Sequence, residues 1–547
     1  MVRAVLRGGG QRRFTLVVLG LGVLALAGCT GRHEGPASKG TDQGEKRRLV
    51  WALRGNAEVT DPAMVADTDS GFVVAQVCEG LVRFEEGSSK VIPALAESAP
   101  EISADGTRWK FRLRRGVTFH DGTPLTAEAV RFSFMRQMDP SHPYYVAGRM
   151  TAARRLFGDP TTTESVIVRD IETPDDWTVV FVLAQPRASF ARNLAVPQAA
   201  IVSPRAVMNA AADGQTTMVG TGPFRVAGVR PGRSIVLERN TWYWGVPPRI
   251  ESVELRMISE AVERERALRQ QQCDVATGLP PQTLAAMARS KAFAVTTAPG
   301  MTGCVLLLNH AVPPLDSARV RRGIALAIGR EKLVRDLLLG YADAAYGWLP
   351  PAMVEASRPD AQSENFGDVN EAKRLFAEAG VPGGFTVKLM ALAVPRVYNP
   401  AGAAVAEKVA QDLTACGLTV ILERVPLEVA SRRVADGDYQ MAVWGAVAWN
   451  GDPSAYWADL FGDGQTNALN YRSGELHALL RQLETEIGEP QRKATCAQIE
   501  KLLHAEIPCV PLFYARQAVV ARREVRIEHL NVMGLTRLDS VSMVREE

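Results

Sequence analysis

The sequence predicts an α/β protein, because strands and helices alternate along most of the chain instead of forming separate blocks. Apolar and polar residues alternate with period two at 109–113, 177–183, 234–237 and 253–257, which indicates half-buried strands. Outside residues 30–48, the chain contains no internal repeat and no low-complexity segment. Interleaved elements of this kind are typical of layered α/β folds.

A β-α-β unit between residues 385 and 422 supports this prediction. The pattern predicts a strand at 385–390, a helix at 401–416 that Gly417 ends, and a second strand at 418–422. The crossover between two such strands is right-handed in nearly all proteins. Units of this type build open sheets with binding crevices at the strand ends.

Two further helices are indicated by the residues at their ends. Thr126 can accept a backbone hydrogen bond as a helix cap, and Glu128 lies in the first turn, where it interacts favourably with the helix dipole. Asn370 is predicted to begin another helix, which Gly380 ends.

The first 28 residues have the pattern of a signal peptide. Four arginines, at positions 3, 7, 12 and 13, precede an uncharged apolar stretch at 14–28. At about 1.5 Å per residue this stretch is short for a hydrocarbon core of about 30 Å, so a transmembrane anchor is the weaker interpretation. We therefore expect residues 1–28 to direct export and then to be removed.

The segment Leu26-Ala27-Gly28-Cys29 resembles a bacterial lipobox, in which the cysteine thiol receives a diacylglycerol. Cys29 is therefore the predicted lipidation site, and two or more acyl chains give stable anchoring to a membrane. The alternative is an ordinary secretory signal with a chance cysteine. Residues 29–48 are rich in Gly, Ser, Lys, Glu and Asp and are predicted to form a flexible tether.

The composition is that of an ordinary globular protein with room for two or three lobes, since 46% of 547 residues are hydrophobic and 22% are charged. The formal net charge of +3 includes the four arginines of the signal peptide, so the mature chain is close to neutral. A near-neutral chain lacks the electrostatic attraction on which nucleic-acid binding depends. We predict no nucleic-acid partner.

Seven cysteines are present, and none belongs to a C-x-x-C pair, so no zinc or redox motif is indicated. Cys304, Cys416 and Cys509 lie in apolar runs, which is typical of small buried hydrophobic residues. An exported protein can form disulfides, but the spacing does not determine a pairing. Apart from Cys29, the cysteines are Cys78, Cys273, Cys304, Cys416, Cys496 and Cys509.

A colinear series of motifs runs along the chain. The densest part contains Glu79 to Arg83, Pro93 to Glu97, Trp109 to Arg114 and Phe119 to Val130. The series continues with Gly220-Thr221-Gly222-Pro223-Phe224, with Arg239-Asn240 before Tyr243-Trp244, and with Leu308-Asn309-His310 ahead of a predicted helix at 317–328. Over most of residues 49–515 the chain resembles the extracellular solute-binding proteins of family 5, which serve peptide, nickel and related uptake systems.

This resemblance implies a type II periplasmic-binding-protein-like fold, with two lobes that close around a ligand by hinge motion and an extra inserted subdomain. By analogy, lobe I is discontinuous and the insert and lobe II are continuous. The implied ranges are 49–75, 218–300 and 516–547 for lobe I, 76–217 for the insert, and 301–515 for lobe II.

The function that the resemblance implies is that of an extracytoplasmic receptor. The expected ligand is an oligopeptide or dipeptide, captured between the lobes and delivered to the permease and ATPase subunits of an ABC importer. We expect a monomer without cofactor or metal, lipid-anchored outside the bacterial membrane at the cell surface or in the periplasm.

The resemblance also suggests binding residues between 444 and 453. In peptide-binding relatives, a Gly-Trp followed by an Asp-Tyr-x-Asp-Pro-like segment supplies a carboxylate for the peptide's amino group. Aligned on Asp452-Pro453, this position is occupied here by Trp449, and the Gly-Trp order is inverted at Trp444. Trp449 is expected either to contact a ligand cation through its ring or to pack near the hinge. Trp444, Trp449, Asn450 and Asp452 are the resulting candidates.

A loop at 394–400 supplies two more candidates, Arg396 and Tyr398. The loop lies between a predicted strand and the helix that follows, and a helix N-terminus attracts anions. Arg396 could bind a ligand carboxylate with two hydrogen bonds, the alternative being an ordinary solvated loop arginine.

Enzymatic function is not indicated, because the chain lacks G-x-S-x-G, H-E-x-x-H, P-loop and G-x-G-x-x-G motifs. His120 lies in a turn bounded by Gly and Pro, and His310 has no second ligand at metal-binding spacing, so we predict no catalytic or metal-binding residue. The alternatives are a metal chelate, haem or an oligosaccharide as ligand of the same fold and, from another class, an exported hydrolase.

Overall fold

The computed structural model describes residues 48–55, 57–58, 61–159, 166–213, 218–353, 355–356, 366–462 and 467–544. The predicted signal peptide, Cys29 and all of the predicted tether except Arg48 lie outside these residues. Within them, no helix combines the length and the apolar character needed to cross a bilayer.

The strands of the described chain are numbered β1 to β19. The first eleven are β1 (Leu49–Leu53), β2 (Val82–Phe84), β3 (Val91–Pro93), β4 (Glu101–Ile102), β5 (Arg108–Arg112), β6 (Val168–Asp175), β7 (Thr178–Leu183), β8 (Phe224–Arg230), β9 (Ser234–Arg239), β10 (Ser252–Met257) and β11 (Val275–Thr277). The others are β12 (Phe293–Leu308), β13 (Ala342–Ala344), β14 (Thr386–Leu392), β15 (Thr419–Val425), β16 (Met441–Val447), β17 (Cys509–Arg522), β18 (Val525–Arg526) and β19 (Ser542–Met543).

The α-helices lie between these strands, as the sequence predicted. The first eight are α1 (Thr68–Val77), α2 (Ala127–Met138), α3 (Ala152–Phe157), α4 (Phe190–Asn193), α5 (Pro204–Asp213), α6 (Ala261–Arg269), α7 (Pro281–Ala288) and α8 (Ala318–Ala327). The others are α9 (Arg330–Leu333), α10 (Val369–Glu378), α11 (Ala403–Ala415), α12 (Leu427–Ala435), α13 (Pro453–Phe461), α14 (Gly474–Thr485) and α15 (Glu489–Glu506). Shorter helical turns occur at Pro62–Met64, Pro197–Ala199, Val334–Leu338 and Leu538–Ser540.

Eleven of the described strands form one mixed sheet, in the order β15-β14-β16-β12-β17-β11-β1-β10-β9-β8, with β13 also paired to β17. The two long central strands, β12 and β17, are antiparallel from Phe293, opposite Arg522, to Leu307, opposite Cys509. At one end of this pair β17 is also paired with β11, and at the other end β12 is also paired with β16. These two strands therefore join the lobe I strands to the lobe II strands.

A register shift interrupts the β12–β17 pairing between Ala298 and Thr302. A Cβ atom on Gly300 would lie 2.1 Å from the carbonyl oxygen of Ala515, so the two backbones approach too closely for a side chain here. The lobe boundaries at 300–301 and 515–516 fall in this region, and all the boundaries remain a prediction.

The predicted β-α-β unit is confirmed, because β14 and β15 are parallel neighbours joined through α11. Helix α11 begins two residues later than expected, after Gly402, whose φ of 60° lies in the left-handed region. The prediction that Asn370 begins α10 is wrong. The cap is Asp368, whose carboxylate accepts the N–H groups of Asn370 and Glu371. Thr126 caps α2, as predicted.

The insert contains its own four-stranded sheet, in the order β4-β5-β7-β6, and a β2–β3 hairpin. Its core is rich in aromatic side chains that meet edge to face, which is a favourable geometry for aromatic rings. Phe181 contacts Phe111 at 5.9 Å and Phe134 at 5.1 Å between ring centroids.

The motifs that carry the family resemblance hold the insert against lobe I. Glu79 accepts hydrogen bonds from Thr221 Oγ1 at 2.9 Å, from Tyr243 Oη at 2.8 Å and from Trp244 Nε1 at 2.8 Å. His120 donates through Nε2 to the Gly222 carbonyl oxygen at 2.9 Å, which identifies it as a structural histidine. The motif residues thus hydrogen-bond to one another across this junction.

The six cysteines of the described residues are all buried, and none forms a disulfide. Burial raises the pKa of Cys273 to about 12, which keeps its thiol protonated and unreactive at neutral pH. The prediction that Cys304, Cys416 and Cys509 act as small buried hydrophobic residues is confirmed.

Candidate functional site

Asp452 lies at the junction between strand β16 and helix α13. It is the N-cap of α13, and Pro453 follows at the first helical position, where its missing N–H and fixed φ are tolerated. Its Oδ1 accepts the Ser454 backbone N–H at 2.9 Å and the Ser454 hydroxyl at 2.6 Å. The side chain is fully buried.

The second oxygen of Asp452 belongs to a cluster of four buried charges, which we call the ion cluster: Arg192, Glu355, Asp452 and Arg492. Asp452 Oδ2 lies 2.6 Å from Arg192 Nη1 and 2.8 Å from Arg492 Nη2. Glu355 Oε1 lies 2.8 Å from Arg192 Nη2 and 3.3 Å from Arg492 Nε. Two guanidinium groups and two carboxylates therefore compensate each other's charge away from water.

The ion cluster controls the protonation of Asp452. Burial alone would raise the pKa of this carboxyl, but the Arg492 and Arg192 guanidiniums, with the Ser454 hydrogen bonds, hold it well below its usual range. Asp452 is therefore ionised at neutral pH. Each of its oxygens already accepts two hydrogen bonds, so no acceptor remains for a ligand.

The ion cluster also connects the insert to lobe II. Arg192 lies on α4, in the range predicted for the insert, whereas Asp452 lies directly before α13 and Arg492 lies on α15, both in the range predicted for lobe II. Beside it, Asn450 Nδ2 donates to Asn193 Oδ1 at 2.8 Å, and both side chains are buried. The predicted candidates Asn450 and Asp452 thus contact the insert directly.

Trp449 packs on the same surface of the insert. Its half-buried ring packs against the insert core, and the Arg155 guanidinium carbon lies 4.1 Å from its ring centroid. Arg155 also contacts Asp459 of α13 at 2.6 Å. A cation–π contact at Trp449 was predicted for a ligand, and here the protein's own Arg155 supplies it.

The indole nitrogen of Trp449 is buried and has no hydrogen-bond partner among the described residues. A buried donor without a partner costs free energy that other contacts must offset.

Arg396, Tyr398 and Trp444 form a second group of candidates, in lobe II. Tyr398 covers the backbone of Gly445, where a Cβ atom would lie 2.2 Å from the tyrosine ring. Trp444 and Tyr398 are both half-buried against the same apolar core. Burial raises the pKa of Tyr398 to about 12, and the nearby positive charge of Arg396 opposes this increase.

Arg396 is partly exposed and forms no ion pair or side-chain hydrogen bond within the described part of the chain. Its backbone is fixed by reciprocal hydrogen bonds of 3.0 Å with Asn399. The guanidinium is therefore held on an ordered loop without a protein partner.

A cavity of about 60 Å³, which the sequence did not predict, lies between α1, the insert and the segment 531–537. It is lined by apolar side chains together with Glu79, Arg83, Glu86 and Arg537. Burial raises the pKa of Glu86, whose Oε2 has no hydrogen-bond partner among the described residues. Phe84 connects this cavity to the candidate segment, because it lies 3.2 Å from the Cβ position of Gly451.

Sequence reasoning missed Arg192, Glu355 and Arg492. Arg192 is 260 positions from Asp452 and 163 from Glu355, so no local pattern relates them. The only local signal was Asp452 before Pro453, which is typical of a helix N-cap.

An insert and two lobes, joined by two long central strands, define a type II periplasmic binding protein. Residues 90–468 match the family described as bacterial extracellular solute-binding proteins, family 5 Middle. The chain belongs to this family, and its predicted role as a solute-binding protein is confirmed.

Relatives with assigned ligands are binding proteins of similar length. The chain is 27% identical to a dipeptide-binding protein of Escherichia coli over 516 residues, which is 91% of this chain and 95% of the relative. It is also 27% identical to heme-binding protein A of Haemophilus influenzae, with 91% and 93% covered.

Solved structures show the same fold. HbpA2 from Haemophilus parasuis matches with a TM-score of 0.82 and 25% identity, covering 91% of this chain and all of that one. DppA from Helicobacter pylori, in complex with the peptide STSA, matches with a TM-score of 0.73 and 26% identity, covering 91% and 98%.

The substitution Asp452→Asn should destabilise the protein by about 3–5 kcal/mol at pH 7, because it leaves two buried guanidiniums undercompensated. The folded-state pKa of Asp452 is depressed, so its contribution is complete above the unfolded-state pKa and is lost as pH falls through the folded-state value. The stability difference between the native protein and the variant should therefore shrink below about pH 4. Urea unfolding at several pH values measures it.

The matched control is Glu263→Gln, which removes an exposed ion pair with Arg266 at 3.0 Å. Exposed pairs of this kind contribute little, so this variant should unfold nearly like the native protein. Equal stability of the two variants at pH 7 would contradict the role assigned to the ion cluster.

Proposed function

We propose that this chain is an extracytoplasmic receptor that captures a short peptide between its lobes and delivers it to the permease and ATPase subunits of an ABC importer. The similarity to the E. coli dipeptide-binding protein and to DppA in complex with a peptide supports this ligand class. The observation that carries the proposal is the unpaired guanidinium of Arg396 near the half-buried ring of Tyr398, which packs against the same apolar core as Trp444.

This arrangement suits one end of a peptide. A guanidinium binds a carboxylate through two parallel hydrogen bonds, and an aromatic surface accepts apolar side chains of varied shape. In this proposal Arg396 binds the ligand carboxylate, and Tyr398 and Trp444 form an adjacent wall. Asn450 and Asp452 hold lobe II on the insert and do not contact the ligand, while Trp449 closes the wall and offers its indole N–H.

Haem is the second candidate ligand, because heme-binding protein A is as similar to this chain as the dipeptide-binding protein is. The same residues could bind haem, because Tyr398 and Trp444 could pack against the porphyrin ring and Arg396 could pair with a propionate group. Metal chelates and oligosaccharides remain further alternatives on the same fold, and an exported hydrolase is the alternative from another class.

Native mass spectrometry after incubation with a pool of di- to pentapeptides tests the proposed function. We expect a subset of peptides to be retained at a ratio of one to one and to be released intact on denaturation. If the protein retained haem but no peptide, the ligand would be haem and the proposed peptide ligand would be wrong. If the peptides were shortened, the protein would be a hydrolase. Denatured protein with the same pool serves as the control for non-specific adducts.

Calorimetry tests which end of the peptide the protein recognises. The affinity is measured for one retained peptide with a free amino end and for the same peptide with an acetylated amino end. Because Trp449 stands where relatives place a carboxylate, acetylation should change the affinity little. Arg396→Ala and Trp449→Ala should each weaken binding by about 2 kcal/mol or more, as expected for central anchors. The matched control is Arg472→Ala, which removes an exposed arginine from lobe II.

Two results would contradict this assignment. Native-like binding by Trp449→Ala together with loss of binding on acetylation means that another carboxylate binds the amine, and Glu86, which has an oxygen without a partner in the cavity, is one candidate. Native-like binding by Arg396→Ala means that the ligand carboxylate is held elsewhere.

The proposed receptor is attached to the outer surface of a bacterial membrane through lipid on Cys29, after removal of residues 1–28, and acts as a monomer. The lipobox-like sequence before Cys29 supports the attachment. Two or more acyl chains supply the anchoring that a single chain cannot.

Replacing Cys29 with Ser should release the protein from membranes without changing its thermal unfolding, because none of the contacts found among the described residues involves Cys29. Fractionation with high-salt and carbonate washes measures the release. If the Cys29→Ser protein still sediments with membranes, the anchor lies elsewhere in the chain.

A further inference from the structure

The loop between β9 and β10 presents an exposed apolar tip, formed by Trp242 and Val246. Trp242 is 86% exposed and Val246 is 83% exposed, the two highest values among the large hydrophobic residues of the described chain. Two large apolar side chains that remain exposed within one short loop mark an interaction surface more often than isolated ones do. We call these two residues the Trp242 tip.

The Trp242 tip is held in place by the loop below it. Asn240 donates to the Gly222 carbonyl oxygen at 3.1 Å and accepts the Trp242 N–H at 3.0 Å. The next two residues, Tyr243 and Trp244, turn inward and donate to buried Glu79. The outward direction of Trp242 is therefore fixed by hydrogen bonds on both sides of it.

The sheet places this loop at the edge where the N-terminal segment enters the fold. Strand β1 is parallel to β10, with Leu49 opposite Val253, and β9 is antiparallel to β10, with Leu237 opposite Val253. The end of β9, the start of β10 and the start of β1 therefore share one edge. The described chain begins at Arg48, directly before β1.

The chain that precedes Arg48 limits how far this edge lies from an anchor at Cys29. Residues 30–48 are nineteen in number, and a chain of that length reaches at most about 65 Å when fully extended. An anchored protein therefore keeps this edge, and the Trp242 tip with it, within reach of the bilayer.

The charges around the Trp242 tip favour an anionic surface. Arg249 is exposed in the same loop and forms no ion pair within the described residues. Arg48 is 48% exposed and lies 3.8 Å from Glu254, which is a weak contact. Tryptophan is enriched at membrane–water interfaces, and arginine is attracted to anionic lipid headgroups.

We propose that the Trp242 tip rests in the headgroup region of the bilayer to which the chain is anchored, as a second contact beside the lipid. This inference rests on the proposed attachment through Cys29. The contact fixes which edge of the protein faces the membrane, so that the lipid is not the only restraint on the orientation of the receptor.

Quenching by brominated lipid tests the proposal. The full-length lipidated protein is reconstituted on vesicles of phosphatidylethanolamine and phosphatidylglycerol, with and without brominated acyl chains, and tryptophan fluorescence is compared. We expect the native protein to be quenched on brominated vesicles. The Trp242→Phe variant should lose at least half of this quenching, since the other tryptophans are half-buried or buried.

The matched controls separate the tip from general effects. Trp177→Phe removes a half-buried tryptophan of the insert and should keep the quenching of the native protein. Val246→Ser should reduce the quenching, whereas Val262→Ser should not. Val262 is 68% exposed at the start of α6, which follows the opposite end of β10.

The outcomes distinguish this inference from the proposal on which it rests. If the protein washes off the vesicles, the anchor is wrong and the inference falls with it. If the protein stays bound but the native chain and Trp242→Phe are quenched equally, only the inference is overturned. Protection of Trp242 from aqueous acrylamide without bromine quenching would show that a protein, such as the permease or a second copy, covers the tip instead.

Discussion

Four buried charges determine how lobe II sits against the insert. Removing two guanidiniums and two carboxylates from water is costly, and their mutual attraction offsets that cost only when the geometry satisfies each group. In the ion cluster every group has partners of opposite charge at hydrogen-bonding distance. A displacement of either side by a few ångströms would leave charges uncompensated, so the cluster enforces one arrangement of α4 against α13.

The segment between β16 and α13 takes its position from this cluster. Because Asp452 is fixed by Arg192 and Arg492, the residues just before it have little freedom. Asn450 meets Asn193, and Trp449 lies against the insert core under Arg155. At Trp449, where the family resemblance predicted a ligand contact, the ring contacts other parts of this chain.

Much of the architecture follows from local sequence, and the residue contacts within the candidate site do not. The β14-α11-β15 unit was predictable because alternation, helix length and Gly417 all act over a few residues. Helix starts were less predictable, since both Asp368 and Asn370 can cap a helix and only the backbone geometry selects the former. Arg192, Glu355 and Arg492 gave no signal, because each resembles an ordinary surface charge until the fold brings them together.

Polar groups that have hydrogen-bond partners within the protein and polar groups that lack them have different roles. The first stabilise the fold, and the second can select the ligand. Residues of the family motifs, such as Glu79 and Asn309, use their hydrogen-bonding capacity mainly within the protein. Such residues identify the fold and can contribute little to ligand choice, since a committed group has nothing left to offer.

Ligand chemistry must therefore depend on polar groups that the fold holds in place without a partner. Several described polar groups meet that condition, and three of them belong to the candidate segments or the cavity: the Arg396 guanidinium, the Trp449 indole nitrogen and one oxygen of Glu86. If the proposed site is correct, an acceptor supplied by the ligand would give the buried Trp449 indole nitrogen a partner, and a ligand anion would replace water at the partly exposed Arg396 guanidinium. A ligand without that acceptor would leave the indole nitrogen unpaired, and an unpaired buried donor costs more than the net gain from an average hydrogen bond.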